Sequence, residues 1–219
     1  MNIHFLLGVP VMGEMSPETV KTKITTCEVC ERWDIQYSDI TFIFDRWNGE
    51  DFISGGGEQF ISQRLKDKLE EKKIKGFKTT PVNVKFSKQR GGVIRIGKGA
   101  YQDELPAFYH FQVIGKAEAA LDDWYMILDP TECEGCKANN KMMTIEASKS
   151  RANPELTGKD IDNPLPINVY HATWKNNDIF LVSPTFKILT ENFVDTLQEL
   201  EIKINQKGGV WLRQTNWIE

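Results

Sequence analysis

Cys27-Glu28-Val29-Cys30 and Cys133-Glu134-Gly135-Cys136 decide how this chain is organised, because they contain all four of its cysteines. Each stretch is a C-x-x-C turn, in which two sulfur atoms can reach one metal ion. Two such turns supply four thiolates, the full tetrahedral shell of a structural Zn²⁺. We therefore predict that Cys27, Cys30, Cys133 and Cys136 bind one zinc ion, with no open coordination position, and that this ion brings the turns 27–30 and 133–136 together.

Two other interpretations of the cysteines stay open, because 102 residues separate Cys30 from Cys133 and spacing alone does not place them together. The four thiols can be free or buried, or they can form redox-active disulfides. A redox-active C-x-x-C is expected after a strand and at the N-terminus of a helix. Neither turn clearly has that sequence context.

The composition indicates an ordinary soluble protein, with 40% hydrophobic and 26% charged residues among 219. We predict one α+β domain spanning residues 1–219. The net charge of −4 argues against nucleic-acid binding and leaves room for a basic protein partner.

No apolar run approaches the roughly 18 to 20 residues of a membrane span, and the first residues lack the basic segment of a signal peptide. We therefore expect a cytoplasmic protein with no membrane partner. In that compartment, paired C-x-x-C turns indicate metal or redox chemistry more often than structural disulfides.

Apolar spacing predicts two principal helices, at about residues 58–74 and 190–200. Ile61, Leu65 and Leu69 lie four apart in the first. The second has Phe193, Val194, Leu197 and Leu200 on one face, and Thr190 is suited to cap it. Runs rich in β-branched and aromatic residues predict a mainly antiparallel sheet, with strands near 3–8, 39–45, 82–86, 93–96, 107–114, 124–128, 142–145, 178–182, 185–189 and 210–213.

Other stretches carry weaker signals of chemistry. Gly55-Gly56-Gly57 precedes the first predicted helix but lacks a phosphate-loop motif, so we interpret it as a flexible strand-to-helix turn. His4, His110 and His171 are isolated in sequence, as expected for ordinary strand or surface residues. Five acidic residues lie near the second cysteine turn, and we interpret them as an exposed acidic loop in preference to a catalytic or metal cluster. They are Asp122, Asp123, Asp129, Glu132 and Glu134. Such a loop can face a basic partner. Trp33 and Trp124 lie near the two cysteine turns, where they can serve packing or an interface.

The order of several stretches along the chain resembles that in the double-CXXCG motif family, which is known from myxobacteria. These stretches are the two C-x-x-C turns, the segments 60–69, 74–77 and 81–82, and the segments 178–181 and 190–197. In that family a glycine follows the second cysteine of each turn, where it eases a positive φ that points backbone N–H groups at the sulfurs. Here Glu31 and Lys137 occupy those two positions.

That family is similar to immunity proteins of polymorphic or contact-dependent toxin systems. The resemblance implies a cytoplasmic binding protein that sequesters a cognate toxin domain, with a structural zinc site and no catalytic residues. Two alternatives remain. One is an enzyme that uses an acidic cluster or a Cys/His pair, and the other is a zinc-ribbon module that binds nucleic acid.

Overall fold

The computed structural model describes residues 2–87, 93–94, 105–117, 125–129, 132–136, 140–143, 169–170, 177–182 and 186–218. Within them are two helices, α1 (Gln63–Glu71) and α2 (Glu191–Glu199). The strands are β1 (Asn2–Gly8), β2 (Gly13–Met15), β3 (Val20–Cys27), β4 (Arg32–Ser38), β5 (Thr41–Phe44), β6 (Arg46–Trp47), β7 (Phe52–Gly55), β8 (Glu58–Ser62), β9 (Phe77–Phe86), β10 (Val93–Ile94), β11 (Phe108–Val113), β12 (Lys116–Ala117), β13 (Tyr125–Asp129), β14 (Asn140–Met143), β15 (Val169–Tyr170), β16 (Ile179–Val182), β17 (Phe186–Thr190) and β18 (Trp211–Ile218). Strands predominate, and the predicted α+β class is confirmed.

Two six-stranded sheets form the body of the protein. Sheet I has the strand order β12-β16-β17-β1-β18-β15, and sheet II has the order β2-β5-β9-β11-β8-β7. Most pairings are antiparallel, as predicted, but β5–β9, β6–β10, β12–β16 and β15–β18 are parallel. Outside the two sheets lie the hairpins β3–β4 and β13–β14, and each contributes one cysteine turn.

The first helix is shorter than the predicted range of 58–74. Residues 58–62 form β8, and α1 begins at Gln63, where the Oγ of Ser62 accepts the N–H of Leu65 at 3.2 Å. Gly56 and Gly57, with φ of +62° and +87°, form the two-residue turn of the β7–β8 hairpin. Positive φ at both central residues suits a tight hairpin, so the glycine run is not a strand-to-helix turn.

The second helix matches its prediction closely, but Thr190 acts differently from the expected cap. It occupies the N-cap position without a side-chain bond to the helix. Its hydroxyl instead donates to Asp178 Oδ1 at 3.0 Å, just before β16. The residue therefore ties the start of α2 to the neighbouring strand.

Hydrophobic residues cover both faces of sheet II. One face meets α1 and α2 around Phe111, whose ring contacts those of Phe52, Phe77 and Phe193. The opposite face holds a second cluster, formed by Met12, Ile40, Phe42, Phe44, Trp47, Ile53, Phe60 and Phe108. Burying each large side chain of this kind stabilises the fold by about 1.5–3 kcal/mol.

The hairpin β3–β4, here called the arm, stands away from both cores except at Tyr37, which packs against the second cluster. Every residue of β3 except Cys27 is exposed. At the foot of the arm, Tyr37 donates its hydroxyl to Glu58 Oε1 at 3.0 Å and meets the ring of His110 edge-on. The arm is thus fixed to sheet II at one end, while its far end carries the first cysteine turn.

Candidate metal centre

The first cysteine turn forms the tip of the arm. β3 and β4 pair in antiparallel register from Val20↔Ser38 to Thr25↔Trp33, and a bulge then brings Cys27 opposite Arg32. Glu31 has a φ of +53°, a left-handed conformation at the position where the family that the sequence resembles has glycine. The chain reverses between Cys27 and Arg32 so that both sulfurs of the turn lie at the tip.

The second turn lies in the connection of another hairpin, because β13 and β14 pair in antiparallel register between Tyr125↔Met143 and Asp129↔Asn140. Residues 132–136 are described there, whereas Lys137 lies outside the described residues. Two hairpins that lie far apart in the sequence therefore present one C-x-x-C turn each.

The four sulfurs meet, as the sequence predicts. All four Sγ atoms lie within 4.8 Å of one another. Two contacts of 3.7 Å run between the hairpins, one joining Cys27 to Cys133 and the other joining Cys30 to Cys136. The sulfurs thus occupy one compact cluster that can hold a metal ion.

Two of the six sulfur–sulfur distances fit a tetrahedral ion closely. With metal–sulfur bonds of 2.3 Å, as for zinc, the sulfurs of a regular tetrahedron lie about 3.8 Å apart. The two contacts of 3.7 Å agree with that spacing. A set of four thiolates also suits soft or borderline metals far better than Mg²⁺ or Ca²⁺.

Backbone N–H groups stabilise the thiolate of the first cysteine in each turn. The N–H of Cys30, with that of Val29, lowers the pKa of Cys27. The N–H of Cys136, with that of Gly135, lowers the pKa of Cys133 to about 6. These amides favour the charged form that a metal requires.

The sulfur cluster opposes the loss of further protons. The N–H of Arg32 favours the thiolate of Cys30, but the surrounding sulfurs and burial raise its pKa to about 11. Neighbouring negative charges disfavour each additional thiolate. A divalent cation at the centre of the cluster would offset this repulsion.

Among the acidic side chains that the structure describes, none joins the cysteines as a ligand. Among the described residues, the cysteines are the one group of three or more His, Cys, Asp or Glu side chains close enough to share an ion. Four glutamates beside the ligands are exposed, namely Glu28, Glu31, Glu132 and Glu134. Asp122 and Asp123 lie outside the described residues.

Two of the three histidines are described, and both lie away from the cysteines. His4 pairs with Glu191 at 2.9 Å, and His110 pairs with Glu58 at 2.9 Å. His110 is 1% exposed and lies on sheet II, where it supports the foot of the arm. His171 lies outside the described residues.

A cleft of about 130 Å³ lies beside α1 and the segment that follows α2. Its lining includes the ion pair of Arg64 and Asp51, together with Glu50, Glu201 and Lys203, and contains neither cysteine nor histidine. A catalytic histidine acting in this cleft would have to line it, and His110 does not.

Trp33 is 49% exposed near the arm tip, and Lys23 Nζ lies 4.7 Å from the centre of its ring. It does not pack inside a core, and Trp124 lies outside the described residues.

Sequence reasoning missed the arm itself, including Val20, Ile24 and Val29, which are all exposed large hydrophobic residues. The alternation of lysine with threonine and isoleucine in β3 is the signal that could have identified it.

Comparisons with protein-family models, with curated proteins and with solved structures find no match for this chain. The likeness to the double-CXXCG family therefore remains a prediction from the sequence. In the part of the chain that the structure describes, no helix is long and apolar enough to cross a bilayer.

Proposed function

We propose that this chain is a zinc-dependent binding protein, in which a structural Zn²⁺ held by Cys27, Cys30, Cys133 and Cys136 joins two hairpins. The observation that supports it is the compact cluster of four sulfurs, with spacings that suit a tetrahedral ion. Because the protein fills all four positions, the metal would stabilise the scaffold and would not activate a substrate.

We further propose that the protein acts as an immunity protein that sequesters a cognate toxin domain. This part of the proposal rests on the resemblance to the double-CXXCG family, and the exposed arm supports it. Val20, Ile24, Val29 and Trp33 are all exposed on the arm. Large apolar side chains in one exposed region are typical of protein interaction sites.

The charges around the tip favour a protein partner over nucleic acid. Four exposed glutamates flank the cysteines, and a Zn²⁺ bound by four thiolates adds a net charge of about −2. Phosphate groups would be repelled by this region, whereas a basic protein surface would be attracted. The proposal places the protein in the cytoplasm, where thiols stay reduced.

Metal analysis of the purified protein tests the first part of the proposal. We expect one equivalent of zinc, and we expect Cys30→Ser and Cys133→Ser to lose it. Thr22→Ser, an exposed substitution on β3, is the matched control and should retain the metal. A wild-type protein that contains no zinc, and that does not bind zinc when titrated with it under reducing conditions, would refute the structural role.

Co-expression tests the second part. The toxin to use is the product of a gene adjacent to the one that encodes this chain. We expect wild type to protect cells, and Ile24→Glu on the arm to protect them less. Ile114→Glu is the matched control, because Ile114 is 54% exposed and Ile24 is 42% exposed, and Ile114 lies outside the arm. Lack of protection by the wild type, together with no complex between the two purified proteins, would count against the immunity role.

A further inference from the structure

The two edges of the sulfur cluster differ in their access to solvent. Cys30 and Cys136 are both exposed, whereas Cys133 is half-buried and Cys27 is 9% exposed. Each of these pairs spans the two hairpins, with 3.7 Å between the sulfurs. One inter-hairpin pair therefore faces solvent, and the other faces the protein.

We propose that Cys30 and Cys136 are a site of oxidation by peroxides, and that the product is a disulfide that links the two hairpins as the metal leaves. This inference rests on the proposed zinc site. It assigns a covalent modification to two particular ligands and predicts its connectivity.

The chemistry needs one peroxide for each disulfide. The sulfur of one exposed cysteine attacks a peroxide oxygen, the O–O bond breaks, and a sulfenic acid and one molecule of water or alcohol form. The second sulfur then attacks the sulfenic sulfur, an S–S bond forms, and water leaves. The two thiolates lose two electrons, and the peroxide gains them together with two protons from solvent. A Zn²⁺ ion held by the cluster would then be released, because only two thiolate ligands would remain.

The observed spacing permits a bond between the hairpins. The sulfurs of Cys30 and Cys136 must close from 3.7 Å to the disulfide length of about 2.0 Å, a movement that the two turns can share. A bond inside either turn has to disturb the N–H groups that already point at Cys27 and Cys133. With a metal bound, all four sulfurs would be thiolates, so exposure distinguishes the two pairs, and the exposed pair meets the oxidant first.

This connectivity has a structural consequence. A disulfide between Cys30 and Cys136 takes over the joining role of the metal, so the arm tip stays attached to the second hairpin after zinc leaves. A disulfide within each turn would release the arm instead. The two outcomes therefore differ in what the oxidised protein retains.

Peptide mapping of the wild-type protein distinguishes these outcomes. Zinc is measured first, and the protein is then treated with one equivalent of hydrogen peroxide, alkylated and cut after lysine and arginine. Residues 24–32 and 117–137 are each released as one peptide carrying one C-x-x-C. We expect the two peptides to be joined and the zinc to be lost. Peptides that stay separate, one of them with a disulfide inside its own turn, would overturn the inference, as would oxidation that yields sulfinic acid instead of a disulfide.

A second cut identifies the cysteines. Cleavage after Glu28 and Glu134 separates the two cysteines of each turn. We expect the first joined fragments to carry Cys30 and Cys136, and a first bond between Cys27 and Cys133 would overturn the assignment. Protein that contains no zinc before oxidation speaks against the proposed function, whereas zinc-loaded protein that forms bonds within its turns speaks against this inference alone.

Discussion

Val29 and Gly135, which hold the same position in the two C-x-x-C turns, lie directly against each other. A Cβ atom on Gly135 would lie 2.9 Å from Cγ2 of Val29 and 3.1 Å from Sγ of Cys27. The second turn therefore approaches the first so closely that a side chain at position 135 would press on a ligand.

Gly135→Ala should weaken zinc binding by about 10-fold, as for changes next to metal ligands in other sites. The added methyl group displaces Cys27 or Val29, and competition with a chromophoric chelator measures the loss. The double variant Gly135→Ala with Val29→Ala should recover part of the affinity, because it removes one of the two close contacts. Equal affinity in wild type and Gly135→Ala would show that the turns do not meet as described.

Glu31 is the residue of the first turn whose backbone is strained. Its φ of +53° places a side-chain-bearing residue in the left-handed region. Glu31→Gly should raise the free energy of unfolding of the zinc-bound protein by about 0.5–1 kcal/mol, since glycine adopts this conformation without a steric penalty.

Chemical denaturation followed by tryptophan fluorescence measures this change. Glu28→Gly is the matched control, because Glu28 lies in the same turn and is not among the residues with positive φ. It should lower the stability by about 0.5–1 kcal/mol, since glycine gains freedom in the unfolded chain. The same sign of change in both variants would argue against strain at Glu31.

The cluster of cysteines could be predicted from the sequence because its evidence is chemical. Four cysteines in two C-x-x-C turns suit one ion, whatever the length of chain between them. The number of residues between the two turns does not show whether the turns meet, since a chain of 102 residues can fold in many ways between them. The metal identity and the partner are likewise not determined by the positions of the sulfurs.

The arm and the start of α1 could not be predicted as readily as the cysteine cluster, and the physical reasons are opposite in the two cases. β3 is solvated along nearly its whole length, so it lacks the alternation of buried and exposed residues that marks a strand. β8 is buried on both sides, with Phe60 and Ile61 at 0% exposure, and a continuous apolar run does not distinguish strand from helix. The long strands β1 and β11 have clear apolar patterns, and they were predicted nearly to the residue.

Arg64 is expected to be the most important charged residue of α1 for stability. It pairs with the carboxylate of Asp51, whose side chain is 2% exposed, and it also donates to the carbonyl of Leu200 at 3.1 Å. Arg64 thus connects the start of α1 both with the buried Asp51 and with the residue that follows α2. Arg64→Ala should lower the free energy of unfolding by about 3 kcal/mol, because it leaves a buried carboxylate without its cation.

Urea denaturation measures that loss, and Lys66→Ala provides the comparison on the same helix. Lys66 pairs at 2.8 Å with Glu70, whose carboxylate is exposed, and an ion pair to an exposed carboxylate contributes less than about 1 kcal/mol. Asp51→Asn together with Arg64→Ala should restore part of the stability, since the buried negative charge is gone. Losses of equal size in Arg64→Ala and Lys66→Ala would contradict a special role for the buried pair.

The foot of the arm should weaken in acid. Burial raises the pKa of Glu58, but hydrogen bonds from His110 and Tyr37 and the charge of Lys187 outweigh it, so the pKa lies below the usual 4.5. A carboxylate with a lowered pKa stabilises the folded protein above its unfolded pKa, and this contribution is lost as the pH falls through the folded pKa. Glu58→Gln should therefore lower the free energy of unfolding by about 1–3 kcal/mol at neutral pH. This difference from wild type should shrink as the pH falls below 4.5.

Denaturant titrations of wild type and Glu58→Gln at several pH values measure this difference. Amide hydrogen exchange in β4 should increase in Glu58→Gln at neutral pH, because Tyr37 fixes the arm through this carboxylate. Tyr37→Phe is the matched control, since it removes one hydroxyl and leaves the contact between His110 and Glu58 in place. It should destabilise the protein less than Glu58→Gln does and should retain the acid dependence. A difference between wild type and Glu58→Gln that stays constant from neutral to acidic pH would show that the charge of Glu58 does not hold the arm.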